Sequence, residues 1–276
     1  MFDIFEDYAR QAEQEEKKSS DGSAAGSVVS SQSYGSYSSG ETIYAVSVGG
    51  SLLIEQKPSS SQIAKLAEKI SSLHREGYKF ALVVGGGKVA RNYAASAKAL
   101  GANNFVQDEL GIMITRANAL LLVQALEAAH EEVLTDVKKA KHVLEQGKIP
   151  VFGGLMPSFT TDAVAALVAE ELGGVFVNLT NVDGIYSLDP NKSPRAKFFE
   201  TLSYDKLLSL MKLSESKPAQ NIVLDLPCCL ILKRSRIKGI VMNGFELENF
   251  EAMLKGQDFR GTVIEEPYVT EEEAED

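Results

Sequence analysis

Between residues 42 and 264, short apolar runs alternate with stretches whose apolar residues recur at helical spacing. The helical stretches at 60–77 and 160–174 both close on glycine, the residue that most often ends a helix. The clearest apolar runs are IYAVSV (43–48), KFALVV (79–84) and VFVNL (175–179). Strands that are apolar throughout and alternate with helices are typical of a parallel sheet covered on both faces. The sequence therefore predicts an α/β protein.

The charge is unevenly distributed, and this separates a folded body from two tails. The net charge of the 276 residues is −10, of which residues 1–42 carry −5 and residues 265–276 carry −7. The segment 19–40 is mostly serine and glycine, so we expect 1–42 to be a disordered tail. Deleting residues 1–41 should then leave activity unchanged. The acidic segment 265–276 is predicted to be a second tail. The body, 43–264, is weakly cationic, which suits a small anionic substrate and is too weak for nucleic acid.

Several classes of protein are excluded by what the sequence lacks. No run approaches the ~20 apolar residues that span a bilayer, and the acidic N-terminus does not have the pattern of a secretory signal. The two cysteines, Cys228 and Cys229, are adjacent and cannot connect distant parts of a fold, which favours a reduced, cytoplasmic chain. The three histidines are scattered, so no metal-ligating side chains are predicted.

Three glycine-rich turns stand at the ends of predicted strands. They are VGGSLL (48–53), VVGGGKVAR (83–91) and TNVDGIY (180–186). Glycine lets the backbone approach a phosphate closely, and a helix that follows directs free N–H groups at the anion. The spacing fits neither the P-loop nor the dinucleotide-binding pattern, and the protein-kinase motifs are absent. These turns predict phosphate binding by another scheme.

The segments GGSLL, VVGGGKVAR, DELGIMITRANALLL, TTDAVAALVAE, TNVDGIYSLDP and VLDLP, in this order, resemble the amino acid kinase superfamily, and most closely its archaeal-type uridylate (UMP) kinases. The resemblance covers 43–264 and implies a three-layer αβα sandwich with a mostly parallel central sheet. It places the acceptor-binding half at about 43–155 and the ATP-binding half at about 156–264. It also implies transfer of the γ-phosphoryl of ATP to UMP, with Mg²⁺ as cofactor and commonly a homohexamer.

The resemblance assigns roles to residues by matching motif. For ATP binding it indicates Gly50, Ser51, Gly87, Arg91, Thr180, Asn181, Tyr186 and Asp189. For UMP binding it indicates Gly86, Asp108, Leu155, Met156, Pro157, Ser158, Phe159, Thr160 and Thr161. The candidate catalytic residues are Asp162, Arg91 and Lys88. Phosphoryl transfer needs positioning and neutralisation of charge rather than a catalytic base, and these residue types supply both.

The sequence departs from the family pattern at a few positions. Ser47 stands where many members have a lysine, and Leu230 stands where the archaeal enzymes usually have another. In the acceptor loop, Ser158 replaces a glycine and Phe159 replaces a polar residue. Two alternatives to a UMP kinase follow. One is a kinase of the same fold with another phosphate or carboxylate acceptor, and the other is an inactive nucleotide-binding regulatory or storage oligomer.

Several of these residues also have ordinary structural interpretations. Asp162 and Asp225 could be helix caps, Asp108 could begin its helix, and Lys88 could be a solvated helix residue. Arg116 and Asn118, close together on the long helix predicted at 108–129, could serve either a subunit contact or the acceptor site.

Overall fold

The structure is a computed structural model that describes Val29 and residues 42–54, 57–190, 193–216 and 223–266. The strands are β1 (Ile43–Val48), β2 (Lys79–Val84), β3 (Val151–Phe152), β4 (Val175–Thr180), β5 (Ile185–Tyr186), β6 (Phe198–Phe199), β7 (Thr201–Leu202), β8 (Gly239–Asn243) and β9 (Thr262–Ile264). The helices are α1 (Gly50–Leu53), α2 (Ser60–Arg75), α3 (Gly87–Ala99), α4 (Asn104–Ala125), α5 (Lys139–Glu145), α6 (Thr161–Leu172), α7 (Tyr204–Ser216), α8 (Leu226–Arg234) and α9 (Leu247–Leu254).

Seven of the strands form one sheet in the order β3-β2-β1-β4-β8-β9-β7. All neighbouring pairs are parallel except β8 and β9, which are antiparallel. Strands β5 and β6 form a separate two-stranded antiparallel sheet. Because β1, β2, β4 and β8 run in the same direction, their carboxyl ends, and the loops that follow them, lie at one edge of the sheet.

Helices cover both faces of the sheet, and the side chains of β1 show how the layers are divided. Tyr44, Val46 and Val48 pack into a cluster with α2, α4 and α9 on one face. Ala45 packs into a second cluster with α5, α6, α7 and α8 on the other face. Alternation between the two faces follows from the two-residue period of a strand. The predicted α/β class and three-layer sandwich are confirmed.

The element boundaries shift by a few residues from the predicted ones, most of all in the long helix. Predicted at 108–129, it begins at Asn104 and ends at Ala125. Its N-cap is Asn103, whose side chain accepts a hydrogen bond of 3.0 Å from the backbone N–H of Val106. Asp108 therefore lies inside the helix and does not begin it.

The predicted tails, 1–42 and 265–276, lie mostly outside the described residues. Val29 falls within the first and is 2% exposed in the same cluster as α2 and α4. It forms an antiparallel bridge with Phe259, with N–O distances of 2.9 and 3.3 Å. Within the described part of the chain, no helix is long and apolar enough to cross a membrane.

Candidate functional site

Two glycine-rich turns meet at the carboxyl ends of the adjacent strands β1 and β2. A Cβ atom on Gly50 would lie 2.1 Å from the backbone nitrogen of Gly87, and one on Gly87 would lie 2.7 Å from the carbonyl oxygen of Gly50. Gly87 also has a φ of +61°, in the region that disfavours side chains. Glycine is therefore required because the two backbones touch, and their contact forms the floor of a cavity.

This first cavity has a volume of about 370 Å³. It lies between the two glycine-rich turns, the residues that follow β4, and the β5–β6 hairpin. All eight residues predicted to bind ATP line it, namely Gly50, Ser51, Gly87, Arg91, Thr180, Asn181, Tyr186 and Asp189. We call it the donor cavity. The tertiary structure thus brings together residues from three turns that are far apart in sequence.

A second cavity, of about 470 Å³, lies between α3, α4 and the loop before α6. We call it the acceptor cavity. Seven of the nine residues predicted to bind UMP line it, namely Gly86, Asp108, Met156, Ser158, Phe159, Thr160 and Thr161. Leu155 and Pro157 do not line it, and Leu155 packs instead against the cluster under α6.

The two cavities share part of their walls. Gly86, Gly87, Arg91 and Thr161 line both of them. Arg91 is exposed on α3, so its guanidinium is a cation at the boundary between the cavities. Lys88, one turn earlier, is also exposed, but it lines neither cavity. Of the two predicted cationic residues, only Arg91 is brought to the junction.

Asp162 directly follows the shared residue Thr161 and is more than a first-turn acid. The N-cap of α6 is Thr160, whose hydroxyl accepts a hydrogen bond of 3.2 Å from the backbone N–H of Ala163. Asp162 lines the donor cavity, and its Oδ1 accepts a hydrogen bond of 2.6 Å from the hydroxyl of Ser47. Burial raises the pKa of Asp162 to about 6, hydrogen bonds from Ser47 and Asn178 lower it, and the charge of Asp225 raises it.

Ser47 is fully buried in β1, opposite Asn178 of β4 in the sheet register. The two side chains project from neighbouring strands toward Asp162 on the helix above them. Ser47 thus fills the lysine position with a neutral donor. Leu230, at the other lysine position, is 48% exposed on α8 and lines neither cavity. Neither position supplies a cation to the site.

Asp225 caps a helix and contacts the acceptor loop at the same time. Its Oδ1 accepts a hydrogen bond of 2.7 Å from the backbone N–H of Cys228, as the N-cap of α8. Its Oδ2 accepts a short hydrogen bond from the hydroxyl of Thr160. The predicted capping role of Asp225 is therefore confirmed, and the same side chain also holds the loop before α6 through Thr160. Cys228 is buried close to both Asp162 and Asp225. Burial raises the pKa of its thiol, so that the thiol stays protonated.

Three polar residues of α4 shape the acceptor cavity from within the protein. Arg116 donates to the carbonyl oxygens of Gly154 (3.0 Å) and Leu155 (3.3 Å). Asn118 donates to the carbonyl oxygen of Gly85 at 2.9 Å. Thr115, which sequence reasoning missed, accepts from the backbone N–H of Gly154 at 2.6 Å. Polar residues in an otherwise apolar helix were the available signal, and within this chain they hold the loops of the site.

The acceptor loop itself is held by Asp108 in an unusual backbone conformation. Ser158 has a φ of +68°, in the left-handed region that favours glycine. Its backbone N–H donates to Oδ2 of Asp108 at 2.9 Å. The family glycine at this position is explained by that φ, which serine adopts here at a cost in strain. The side chain of Phe159 lines the same cavity.

Comparison with known proteins agrees with this geometry. The profile of the Amino acid kinase family matches residues 42–243. The uridylate kinase of Thermococcus sibiricus is 40% identical over 220 residues, covering 79% of this chain and 97% of that protein, and the one of Pyrococcus abyssi is 41% identical over the same shares. The crystal structure of uridylate kinase from Archaeoglobus fulgidus is 38% identical, covers 81% of this chain and 99% of that chain, and superimposes with a TM-score of 0.71. The predicted resemblance is confirmed, and this chain belongs to the amino acid kinase family.

Proposed function

We propose that the protein is a UMP kinase, which transfers the γ-phosphoryl group of ATP to the phosphate of UMP and releases UDP and ADP. The observation that carries this proposal is the pair of cavities with a common wall at Gly86, Gly87, Arg91 and Thr161. A donor in one cavity and an acceptor in the other would meet at that wall. The similarity to archaeal uridylate kinases at about 40% identity supports UMP as the acceptor.

The proposed chemistry needs no base from the protein. An oxygen of the UMP phosphate attacks the γ-phosphorus of ATP, and the bond from that phosphorus to the β,γ-bridging oxygen breaks, leaving ADP. The backbone N–H groups of the glycine turns and the guanidinium of Arg91 neutralise charge that spreads over the transferred group. Asp162, held by Ser47 and Asn178, organises the floor on which the reacting phosphates meet.

Mg²⁺ fits the donor cavity as a partner of the nucleotide. Among the described residues there is no cluster of three or more His, Cys, Asp or Glu side chains that could hold a metal. Mg²⁺ is usually bound by substrate phosphates, water and one or two carboxylates rather than by a protein cage. Asp162 and Asp189 are carboxylates that line the cavity. When bound, the ion would neutralise phosphate charge.

A homo-oligomer and a cytoplasmic location complete the proposal. Helix α4 has apolar side chains, among them Phe105 (60%) and Met113 (59%), that are largely exposed in the described part of this chain. We expect a second copy to cover them, so the Met113→Glu variant should have a lower mass by light scattering than the wild type. Cys228 and Cys229 are free and buried. Free cysteines suit the reducing conditions of the cytoplasm.

The proposal is tested by measuring ADP release with ATP, Mg²⁺ and one of UMP, CMP, AMP or no acceptor. Turnover with UMP, and much less with the others, is expected. The Asp108→Asn variant should raise the KM for UMP, while Glu109→Gln, an adjacent acid that lines neither cavity, should not. Turnover only with another acceptor would contradict UMP and point to the altered loop at Ser158 and Phe159.

The buried, neutral Ser47 specifically favours the second candidate, a nucleotide-binding oligomer without transferase activity, because no lysine among the described residues lines the donor cavity. Binding of ATP by calorimetry without turnover on any monophosphate would support that candidate over a kinase.

A further inference from the structure

One wall of the donor cavity is strand β5 of the β5–β6 hairpin, which carries Tyr186. This hairpin pairs only Ile185 with Phe199 and Tyr186 with Phe198, and it lies apart from the main sheet. Two strands of two residues each are not stable by themselves in water. The position of Tyr186 therefore depends on what holds the hairpin from outside.

One such support is Thr262, the first residue of β9. Its side chain is fully buried. The hydroxyl accepts a hydrogen bond of 2.8 Å from the backbone N–H of Ile185 and donates one of 2.6 Å to the carbonyl oxygen of Phe199. It thus connects both strands of the hairpin to the main sheet. A Cβ atom on Gly184 would lie 2.5 Å from this hydroxyl, so the glycine of the DG turn is needed where the two segments meet.

The second support is Arg260, two residues earlier. Its Nε donates to Oδ2 of Asp183 at 2.8 Å, and its guanidinium lies 5.1 Å from the centroid of the Phe198 ring. Arg260 also interacts with the Tyr186 hydroxyl, which opposes the rise in the Tyr186 pKa that burial causes. The Phe198 ring in turn packs edge-on against Tyr186, with centroids 5.1 Å apart. One guanidinium therefore touches both strands of the hairpin and the acid that precedes it.

Arg260 is itself fixed by its backbone. Asn249 of α9 accepts from the backbone N–H of Arg260 at 2.8 Å and donates to its carbonyl oxygen at 2.7 Å. Asp183 is held from the other side by Asn243, whose amide donates to Oδ1 at 3.1 Å. The side chains of Arg260 and Asp183 are only 30% and 29% exposed, so solvent weakens the pair less than it would at the surface.

We propose that Arg260 is a positioning residue for the nucleotide donor, holding Asp183, Tyr186 and the β5–β6 hairpin in the geometry that receives ATP. Arg260 and Thr262 lie beyond residue 243, where the family profile ends, and in none of the motifs that carry the family resemblance. The inference rests on the proposed function, because it takes the first cavity to be the donor site.

The test compares the Arg260→Ala and Arg260→Lys variants with Arg234→Ala. Arg234 is also paired with an acid, Glu170, but on the outside of α6 and away from both cavities. For Arg260→Ala we expect the KM for ATP, and the Kd for ATP by calorimetry, to rise about tenfold, the order of one lost charged hydrogen bond. The KM for UMP and kcat should stay within about twofold, whereas a general folding defect would move all of them.

Arg260→Lys keeps the charge but loses the planar fork, so its Kd for ATP should fall between those of Arg260→Ala and the wild type. Asp183→Asn keeps the shape of its side chain and removes the ion pair, and it replaces Arg260→Ala if that variant does not fold. A Kd for ATP within twofold of the wild type in Asp183→Asn and in Arg260→Ala or Arg260→Lys would overturn the proposal. So would an equal change in the KM of both substrates.

If the wild type binds ATP without phosphorylating UMP, the proposed function fails, yet the calorimetric comparison still decides the role of Arg260. A wild type that binds no ATP contradicts both.

Discussion

At the residue scale, Asp162 is buried among neighbours that shift its pKa in opposite directions. Ser47 and Asn178 stabilise its charged form, while burial and Asp225 oppose it, and the result is a pKa of about 6 against an ordinary value of 3.8. Near neutral pH, Asp162 is therefore mostly ionised in the wall of the donor cavity, and this ionisation has a cost in stability.

That cost predicts a pH dependence. Because the folded state binds the proton more tightly than the unfolded chain, Asp162 favours folding at low pH, and this contribution is lost as the pH rises from about 4 through about 6. The Asp162→Asn variant should gain in free energy of unfolding relative to the wild type by roughly 2 kcal/mol between pH 4 and pH 8, less than the full shift implies because the cavity is open to solvent. Urea titrations at both pH values measure this, and parallel profiles for the two proteins would refute it.

The same variant should lose most of its turnover, about a hundredfold, if Asp162 organises the reacting phosphates. A gain in stability together with a loss of activity would show that the acid is retained for function. Unchanged kcat in Asp162→Asn would remove it from the catalytic residues.

Ser158 gives a second prediction at this scale. Its φ of +68° costs a residue with a Cβ atom about 1 kcal/mol or more, and most for a β-branched side chain. The Ser158→Val variant should lower the free energy of unfolding by about 1 kcal/mol, while Ser158→Gly should not lower it. The hydrogen bond to Asp108 comes from the backbone and survives in both variants. Equal losses in the two would mean that the serine hydroxyl, not the backbone, matters.

At the scale of elements, Asp225 is the N-cap of α8 and also contacts the loop before α6. The Asp225→Ala variant loses the N-cap of α8 and the bond to Thr160, and we expect a loss of about 1–2 kcal/mol in free energy of unfolding. The loss should be larger at pH 5 than at pH 8, because removing Asp225 also relieves the ionised Asp162 at high pH. Asp225→Asn keeps a cap acceptor and should lose less.

A comparison at a simpler cap separates these effects. Ser59 caps α2 through a 3.4 Å hydrogen bond to the backbone N–H of Gln62 and contacts neither cavity. Ser59→Ala should therefore cost less than Asp225→Ala and show no difference between pH 5 and pH 8. A pH-dependent loss in both variants would mean that the Asp162–Asp225 interaction is not its source.

At the scale of the whole molecule, Val29 joins the N-terminal segment to the last part of the fold. Deleting residues 1–41 removes this buried side chain and its bridge to Phe259, while deleting residues 1–26 keeps both. We expect the longer deletion to lower the free energy of unfolding by about 1.5–3 kcal/mol, the order of burying one valine, and the shorter one to leave it unchanged. Thermal and urea unfolding of the two truncated proteins measure the difference.

The bridge between Val29 and Phe259 allows a closer test of the expectation that removing 1–41 leaves activity unchanged. Phe259 directly precedes Arg260, so losing Val29 exposes the core beside the segment that supports the donor cavity. Equal stability of the two deletions would mean that Val29 contributes nothing to the fold. Full activity of the longer one, with lower stability, would limit its role to the core.

The sequence by itself determined the layers of this protein and the location of its site. Period-two alternation of side chains along β1 requires two covered faces, and glycine at three strand ends predicts where phosphate can approach. Both follow from local chemistry, as do the motifs that identify the family. That is why the two cavities contain fifteen of the seventeen predicted ATP and UMP residues, with Leu155 and Pro157 outside.

Only the tertiary structure decided which side chains meet across long distances in the chain. Ser47 and Asp162 are 115 positions apart, and Arg260 and Asp183 are 77 apart. No periodicity links such positions, since their distance depends on how the strands are ordered in the sheet. For the same reason the sequence places Val29 in a serine-rich tail, whereas its burial depends on the bridge to Phe259. Pairing between distant segments is a property of the packed molecule, because the free energy that selects it is gained only when all the layers are together.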